Sequence, residues 1–219
     1  MNSTDVSLAA LSSGFEVMGI DLPGGATERL LGYLDLLERW NRTYNLTAIR
    51  ERQAMLTQHL LDSLAVLPLI EKSALAARQG QFRIADVGSG AGLPGIPLAL
   101  ARPEWQVTSI EAVEKKSAFQ RQAKIELAIG NLTVVNARVE QIASAQFDFA
   151  ISRAFASLAD FIGCAGHLVG PDGFLCAMKG ALPADEMTAL PDGWCVDVIK
   201  SLVVPGLDAQ RHALLLRKT

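Results

Sequence analysis

The sequence predicts an α/β protein in two parts. A helical extension occupies residues 1–80. From 81 to 219, strands alternate with helices, as in a mostly parallel sheet covered on both faces. Three observations carry this. Before residue 82 the apolar residues recur only at helical spacing. A glycine-rich turn, GSGAGLPG (88–95), links a short apolar run to an apolar helix. The last two apolar runs, 194–205 and 211–218, have no helix between them, so they pair antiparallel at the sheet's end.

Each element has its own signal. In 27–43, Leu30, Leu34 and Leu37 share one helical face with charged residues opposite. Segment 53–71 repeats the pattern until Pro68 disturbs it, and YNLTAIR connects the two. RIADV (83–87) is the first strand and IPLALARP the helix after the glycine turn. QVTSIEA (106–112) is the second strand. EKKSAFQRQAKIELAIGN (114–131) is an amphipathic helix stopped by Gly130-Asn131. LTVVNAR (132–138) and FDFAISRA (147–154) are strands, SLADFIGCAGHLV (157–169) a helix, and PDGFLCAMKG (171–180) a turn and strand. RQGQ (78–81) marks the change between the two parts.

Composition excludes several classes. A chain of 219 residues can bury a sizeable core without staples. Lys plus Arg is 20 against 23 Asp plus Glu, a formal charge of −3. Any bound polyanion must therefore meet a local basic patch. No uncharged apolar stretch is long enough to span a membrane. No basic residue precedes Arg29, so no secretory signal is expected. Cys164, Cys176 and Cys195 form no disulfide framework or metal pattern, and His59, His167 and His212 are too scattered for zinc. No metal is expected, and a reducing cytoplasm is the expected compartment.

The glycine turn carries the chemistry. Gly88, Gly90 and Gly92 follow a strand and precede a helix, so the backbone can turn tightly and approach a ligand. The next helix N-terminus offers N–H groups to an anion. Gly90, Gly92 and Gly95 also satisfy the dinucleotide spacing G-x-G-x-x-G. Spacing alone leaves two candidates, S-adenosylmethionine and NAD. Asp86 favours the first: a carboxylate repels a pyrophosphate but favours an ammonium and a sulfonium. Pro94 and Pro97 also fit poorly with a tightly cradled pyrophosphate. Glu111, at the second strand's end, can accept from ribose hydroxyls of either cofactor. The alternative is an NAD-dependent oxidoreductase.

Longer segments are more specific. WNRTYNLTAIR (40–50), HLLDS (59–63), DVGSGAGLPGIPLA (86–99), ARVE (137–140), ISRAFASL (151–158), MKG (178–180), VPGLD (204–208) and RH (211–212) together resemble the RsmG family, also called the glucose-inhibited division protein B family. The likeness runs in order from about residue 33 to the end. It implies a class I methyltransferase, Rossmann-like fold, with a C-terminal antiparallel strand and an N-terminal helical extension. It also implies S-adenosyl-L-methionine as cofactor and transfer to N7 of a guanine in bacterial 16S ribosomal RNA. Carried over by motif, cofactor contacts fall on Gly88 and Leu93, on Val139 and Glu140 at the adenine, and on Arg153. Gly90 and Glu111 join them from the turn and strand geometry.

The implied chemistry restricts the site further. Guanine N7 has a free lone pair and no proton, so no general base is needed. Catalysis is then positioning, and Arg153 is the positioning candidate. It is expected at guanine O6, a phosphate or the cofactor carboxylate, since a cation at N7 would oppose the product. Lys115, Lys116, Arg138 and Arg211 are the candidate RNA contacts, for free 16S RNA or the small ribosomal subunit. His59, Asp62 and Ser63 lie on one helical face and read as a structural or RNA-facing seam. Trp40 and Tyr44 read as a seal of a helix against the sheet.

Overall fold

The structure is a computed structural model that describes residues 3–76, 81–144, 147–153 and 155–219. The chain opens with α1 (Ser3–Met18) and α2 (Ala26–Tyr44). Leu30, Leu34 and Leu37 are fully buried on α2, as their spacing predicts. Segment 53–71 is not one helix. It runs as α3 (Arg52–Met55), a π-helical stretch Leu56–Leu61 and α4 (Asp62–Leu64), then restarts as α5 (Leu67–Ala76). Pro68 therefore sits in a first turn, where its missing N–H costs nothing, rather than ending a helix. The Glu51 side chain caps α3 by accepting from the N–H groups of Gln53 and Ala54.

The second part follows in order: β1 (Arg83–Val87), α6 (Gly95–Ala101), β2 (Gln106–Ile110), α7 (Glu114–Glu126), β3 (Leu132–Val135), β4 (Phe147–Ser152), α8 (Leu158–Ala165), β5 (Val169–Lys179), α9 (Ala184–Thr188), β6 (Trp194–Ser201) and β7 (His212–Lys218). The described strands form one sheet of order β3-β2-β1-β4-β5-β7-β6. Pairs among β1 to β5 are parallel. β7 runs antiparallel between β5 and β6, as the missing helix predicts. The chain winds outward through β2 and β3, then returns to place β4 beside β1. That reversal opens a crevice at the strands' carboxyl ends.

Two differences from the sequence reading have a common cause. α7 ends at Glu126, not at Gly130-Asn131, because Ala128 takes the left-handed conformation (φ 49°). Arg29 of α2 donates to the carbonyls of Leu127 and Ala128, closing the helix end from 98 and 99 residues away. Trp40 packs edge-on against Phe119 of α7, so it seals helix against helix rather than helix against sheet, while Tyr44 stays exposed. The expected boundary at residues 78–80 lies outside the described residues. On one sheet face, Ile84, Val107, Phe149 and Leu215 share a core with Leu30, Leu37, Leu60 and Leu64 of the extension. On the other, Ala85, Ala150, Leu175 and Leu214 pack with Leu158 and Phe161 of α8.

Candidate active site

The glycine turn is built at the end of β1. Gly88 and Ser89 donate to the Ile110 carbonyl at 3.0 and 3.2 Å, which bends the chain over the end of β2. Gly88, Gly90 and Gly92 have φ of 66°, 59° and 84°, a region that L side chains rarely adopt. At Gly92 a Cβ would lie 2.4 Å from Ile96 Cδ1, whereas at Gly90 it would meet nothing within 4 Å. Gly92 thus serves packing, and Gly90 faces open space.

Polar side chains from three directions fix the turn. Glu111, buried past the end of β2, accepts from Gly90 N–H at 2.7 Å and from Val113 N–H at 2.8 Å. Each of its oxygens keeps a lone pair for a ligand hydroxyl. Gln120 of α7 donates to Ser89 Oγ and to the Gly90 carbonyl. Tyr33 of α2, wholly buried, donates to the Ala91 carbonyl at 2.8 Å. Burial raises the Tyr33 hydroxyl's pKa, so it remains a donor.

Asp86 lies deeper than the sequence reading expects. It is fully buried beneath the turn, and its Oδ2 accepts from Gly95 N–H at 2.8 Å. Among the described residues its Oδ1 is buried without a hydrogen-bond partner, as is Ser109 Oγ. A Cβ on Gly95 would lie 2.7 Å from Oδ2 and 3.0 Å from Ser109 Oγ, so the third dinucleotide-spaced glycine makes room for this carboxylate. Burial pushes the Asp86 pKa up to about 7, opposed by the Gly95 hydrogen bond and by Arg153. Asp86 therefore acts on the crevice through the turn it holds, and through its charge only when it is ionised, above about pH 7.

A second cavity, of about 250 Å³, adjoins the ends of β4 and β5. It is lined by Asp62, Arg153, Lys179, Arg211 and His212, with Met178, Gly180 and Leu202. Buried Asp62 divides its oxygens between two guanidiniums: Oδ1 to Arg211 Nε at 2.9 Å and Oδ2 to Arg153 Nη1 at 3.2 Å. Arg153 also donates to Ser63 Oγ and to the Gln58 carbonyl. Lys179 donates to the carbonyls of Phe155 and Ala156 and pairs with Glu186. His59 shares a hydrogen bond of 3.0 Å with Thr47 Oγ1, and burial with the nearby Arg153 charge lowers its pKa to about 4. HLLDS is thus a buried polar seam, and its Asp62 and Ser63 hold Arg153.

The candidates fall into three places. Gly88, Gly90 and Leu93 lie in the glycine turn that Glu111 braces, and Val139 and Glu140 start a short 3-10 turn after β3 with Val139 buried and Glu140 exposed. Arg153 and Arg211 meet in the second cavity. Lys115 and Lys116 open α7, and Arg138 is exposed beyond β3; none of the three lines that cavity. Sequence reasoning missed Tyr33, and left Met178, Leu202 and His212 out of the site. A tyrosine inside a leucine-rich helix carries no local signal. Among the described residues no three His, Cys, Asp or Glu side chains gather as metal ligands would.

Sheet order, reversed last strand and glycine crevice together define a class I methyltransferase fold. The chain resembles TrmN from Thermus thermophilus (TM-score 0.54, 19% identity, over 75% of this chain and 53% of that one). It also resembles a SAM dependent methyltransferase from Aquifex aeolicus (TM-score 0.54, 15% identity, over 72% and 93%). The family model for rRNA small subunit methyltransferase G, GidB, matches residues 26–215, and the chain belongs to that family. It is 53% identical to the ribosomal RNA small subunit methyltransferase G of Azoarcus sp. (strain BH72), over 95% of each chain. It is 49% identical to that of Neisseria meningitidis serogroup C (strain 053442), over 95% of this chain and 97% of the other. The oxidoreductase reading finds no support in these relationships.

Proposed function

We propose that the chain transfers a methyl group from S-adenosylmethionine to N7 of a guanine in 16S ribosomal RNA. The observation that carries this is the adjacency of two unlike sites. Arg153 follows the strand beside the glycine turn and lines the arginine cavity, and it is close enough to the turn to lower the Asp86 pKa.

The crevice fits the cofactor. Gly90 leaves open space where a side chain would stand, and Glu111 retains acceptor capacity for ribose hydroxyls. With the Asp86 pKa already raised to about 7, a doubly anionic pyrophosphate above it would push it higher still, whereas a cationic ligand would favour its ionised form. Gly88, Gly90, Leu93 and Glu111 would hold the amino-acid and ribose portions, with Val139 and Glu140 at the adenine. When bound, the cofactor supplies an electrophilic methyl on a sulfonium.

The chain's own work is positioning. N7 carries no proton, so no residue needs to remove one. Placing nucleophile and electrophile in line supplies roughly 7–11 kcal/mol of the barrier. Arg153 and Arg211 are acceptor-seeking groups suited to guanine O6 or a phosphate. Lys115, Lys116 and Arg138 extend phosphate contacts outward from the crevice. In an A-form duplex N7 lies in a deep, narrow groove, so the target is a base splayed out of a loop or an opened stem.

Calorimetric titration with S-adenosylhomocysteine and with NAD, followed by methyl transfer to free 16S RNA and to small subunits, tests this. Binding of S-adenosylhomocysteine and appearance of 7-methylguanine at one mapped position are expected. Binding of NAD alone, or no transfer to either RNA form, would overturn it.

A further inference from the structure

We propose that Asp62 is a positioning residue for the RNA target, acting through Arg153 and Arg211; the inference rests on the functional reading above. Asp62 comes from the helical extension, in the turn that follows the π-helical stretch Leu56–Leu61. The two arginines come from the methyltransferase part, 91 and 149 residues further on, one after β4 and one just before β7. A single buried carboxylate therefore fixes two guanidiniums that share a cavity.

The charges do not cancel. One carboxylate faces two guanidiniums, while Lys179 has its own partner in Glu186. Arg153 Nε and Arg211 Nη2 have no acceptor among the described residues. Both arginine side chains are about a quarter exposed, against 4% for Asp62. The shared anchor is hidden, and both arginines line the cavity. An arrangement serving only to glue the extension down would leave neither excess positive charge nor free donors.

His59 supports the same reading. It is buried one turn before Asp62 and meets Thr47 rather than either arginine. It therefore leaves the carboxylate to the guanidiniums. The π-helical stretch, a conformation often found at functional sites, immediately precedes Asp62.

The test compares Asp62→Asn with the wild type for RNA kinetics, S-adenosylhomocysteine affinity and thermal midpoint. We expect KM for 16S RNA to rise about ten-fold or more while the S-adenosylhomocysteine Kd stays within about two-fold. In a background that lacks both arginines, Arg153→Ala with Arg211→Ala, Asp62→Asn should add no more than about a two-fold further loss, because the carboxylate acts only through them. Ser63→Ala removes a second acceptor from Arg153 with little disturbance, and should raise KM about three-fold. If Asp62→Asn does not fold, Ser63→Ala decides. An altered midpoint with wild-type KM, parallel loss of S-adenosylhomocysteine binding, or a multiplying effect of Asp62→Asn on the double arginine variant would overturn the proposal. No transfer by the wild-type protein would instead overturn the functional reading itself.

Discussion

The glycine crevice and the arginine cavity are neighbours built on opposite principles. The crevice is mostly local: Asp86, Gly90, Gly95 and Glu111 lie within 26 residues and satisfy one another through backbone N–H groups. Its acids are buried and its shape is enforced by positive φ. The cavity is non-local, joining residues 62, 153, 179 and 211, and its two arginines are about a quarter exposed around a buried Asp62. A small cofactor of constant shape suits a rigid backbone cradle. A large polyanion suits guanidiniums fixed by a buried anchor with donors to spare.

Four substitutions separate the two regions. The largest stability loss is expected for Gly92→Ala. It meets both a φ of 84° and a Cβ 2.4 Å from Ile96, so about 3–4 kcal/mol should be lost in urea unfolding. A loss below about 1 kcal/mol would mean the turn is softer than its geometry implies.

Arg153→Ala should act on the other side. Methyl transfer to RNA should fall about 100-fold, equivalent to about 2.7 kcal/mol, with S-adenosylhomocysteine affinity changed little. Equal loss of both would move Arg153 from the target to the cofactor.

Asp86→Asn tests the buried acid through pH. The folded protein holds this proton up to about pH 7, whereas the ordinary value is 3.8. Across that window the folded state binds more protons than the unfolded chain, so the group makes stability fall as pH rises. His59, ordinarily 6.5 and held to about 4, gives the opposite slope below 6.5, but it is common to both proteins and cancels in their difference. The advantage of Asp86→Asn over wild type should therefore grow by about 2–3 kcal/mol between pH 5 and 8 in urea unfolding. A difference independent of pH would show that Asp86 is ionised throughout.

The smallest effect is expected for Tyr33→Phe. It leaves the Ala91 carbonyl unpaired in the core and should cost about 1–2 kcal/mol, with a few-fold weaker S-adenosylhomocysteine binding. Unchanged cofactor binding would show that the turn stands without support from the extension.

The fold was largely legible in the sequence. Short apolar runs alternating with helical segments placed every strand from β1 to β7, and the missing last helix announced the antiparallel β7. The crevice was legible too, because a turn needing positive φ must write glycines side by side. Misreadings fell where distant groups act. The end of α7 is set by Arg29, and the course of 53–71 by packing in the shared core rather than by Pro68. Asp62 read only as part of a structural or RNA-facing seam with His59 and Ser63, since nothing near it in the chain shows which cations it meets.

Local stereochemistry alone therefore determined the strand order's ingredients, the glycine cradle and the acids beside it, because turn geometry and side-chain periodicity are properties of neighbouring residues. Only the tertiary structure decided that Asp62 should hold Arg153 and Arg211, that Tyr33 should brace the turn, and that Asp86 should be sealed beneath it. Burial and charge pairing depend on which distant segments meet, and apolar patterning specifies that a face is buried without specifying against what.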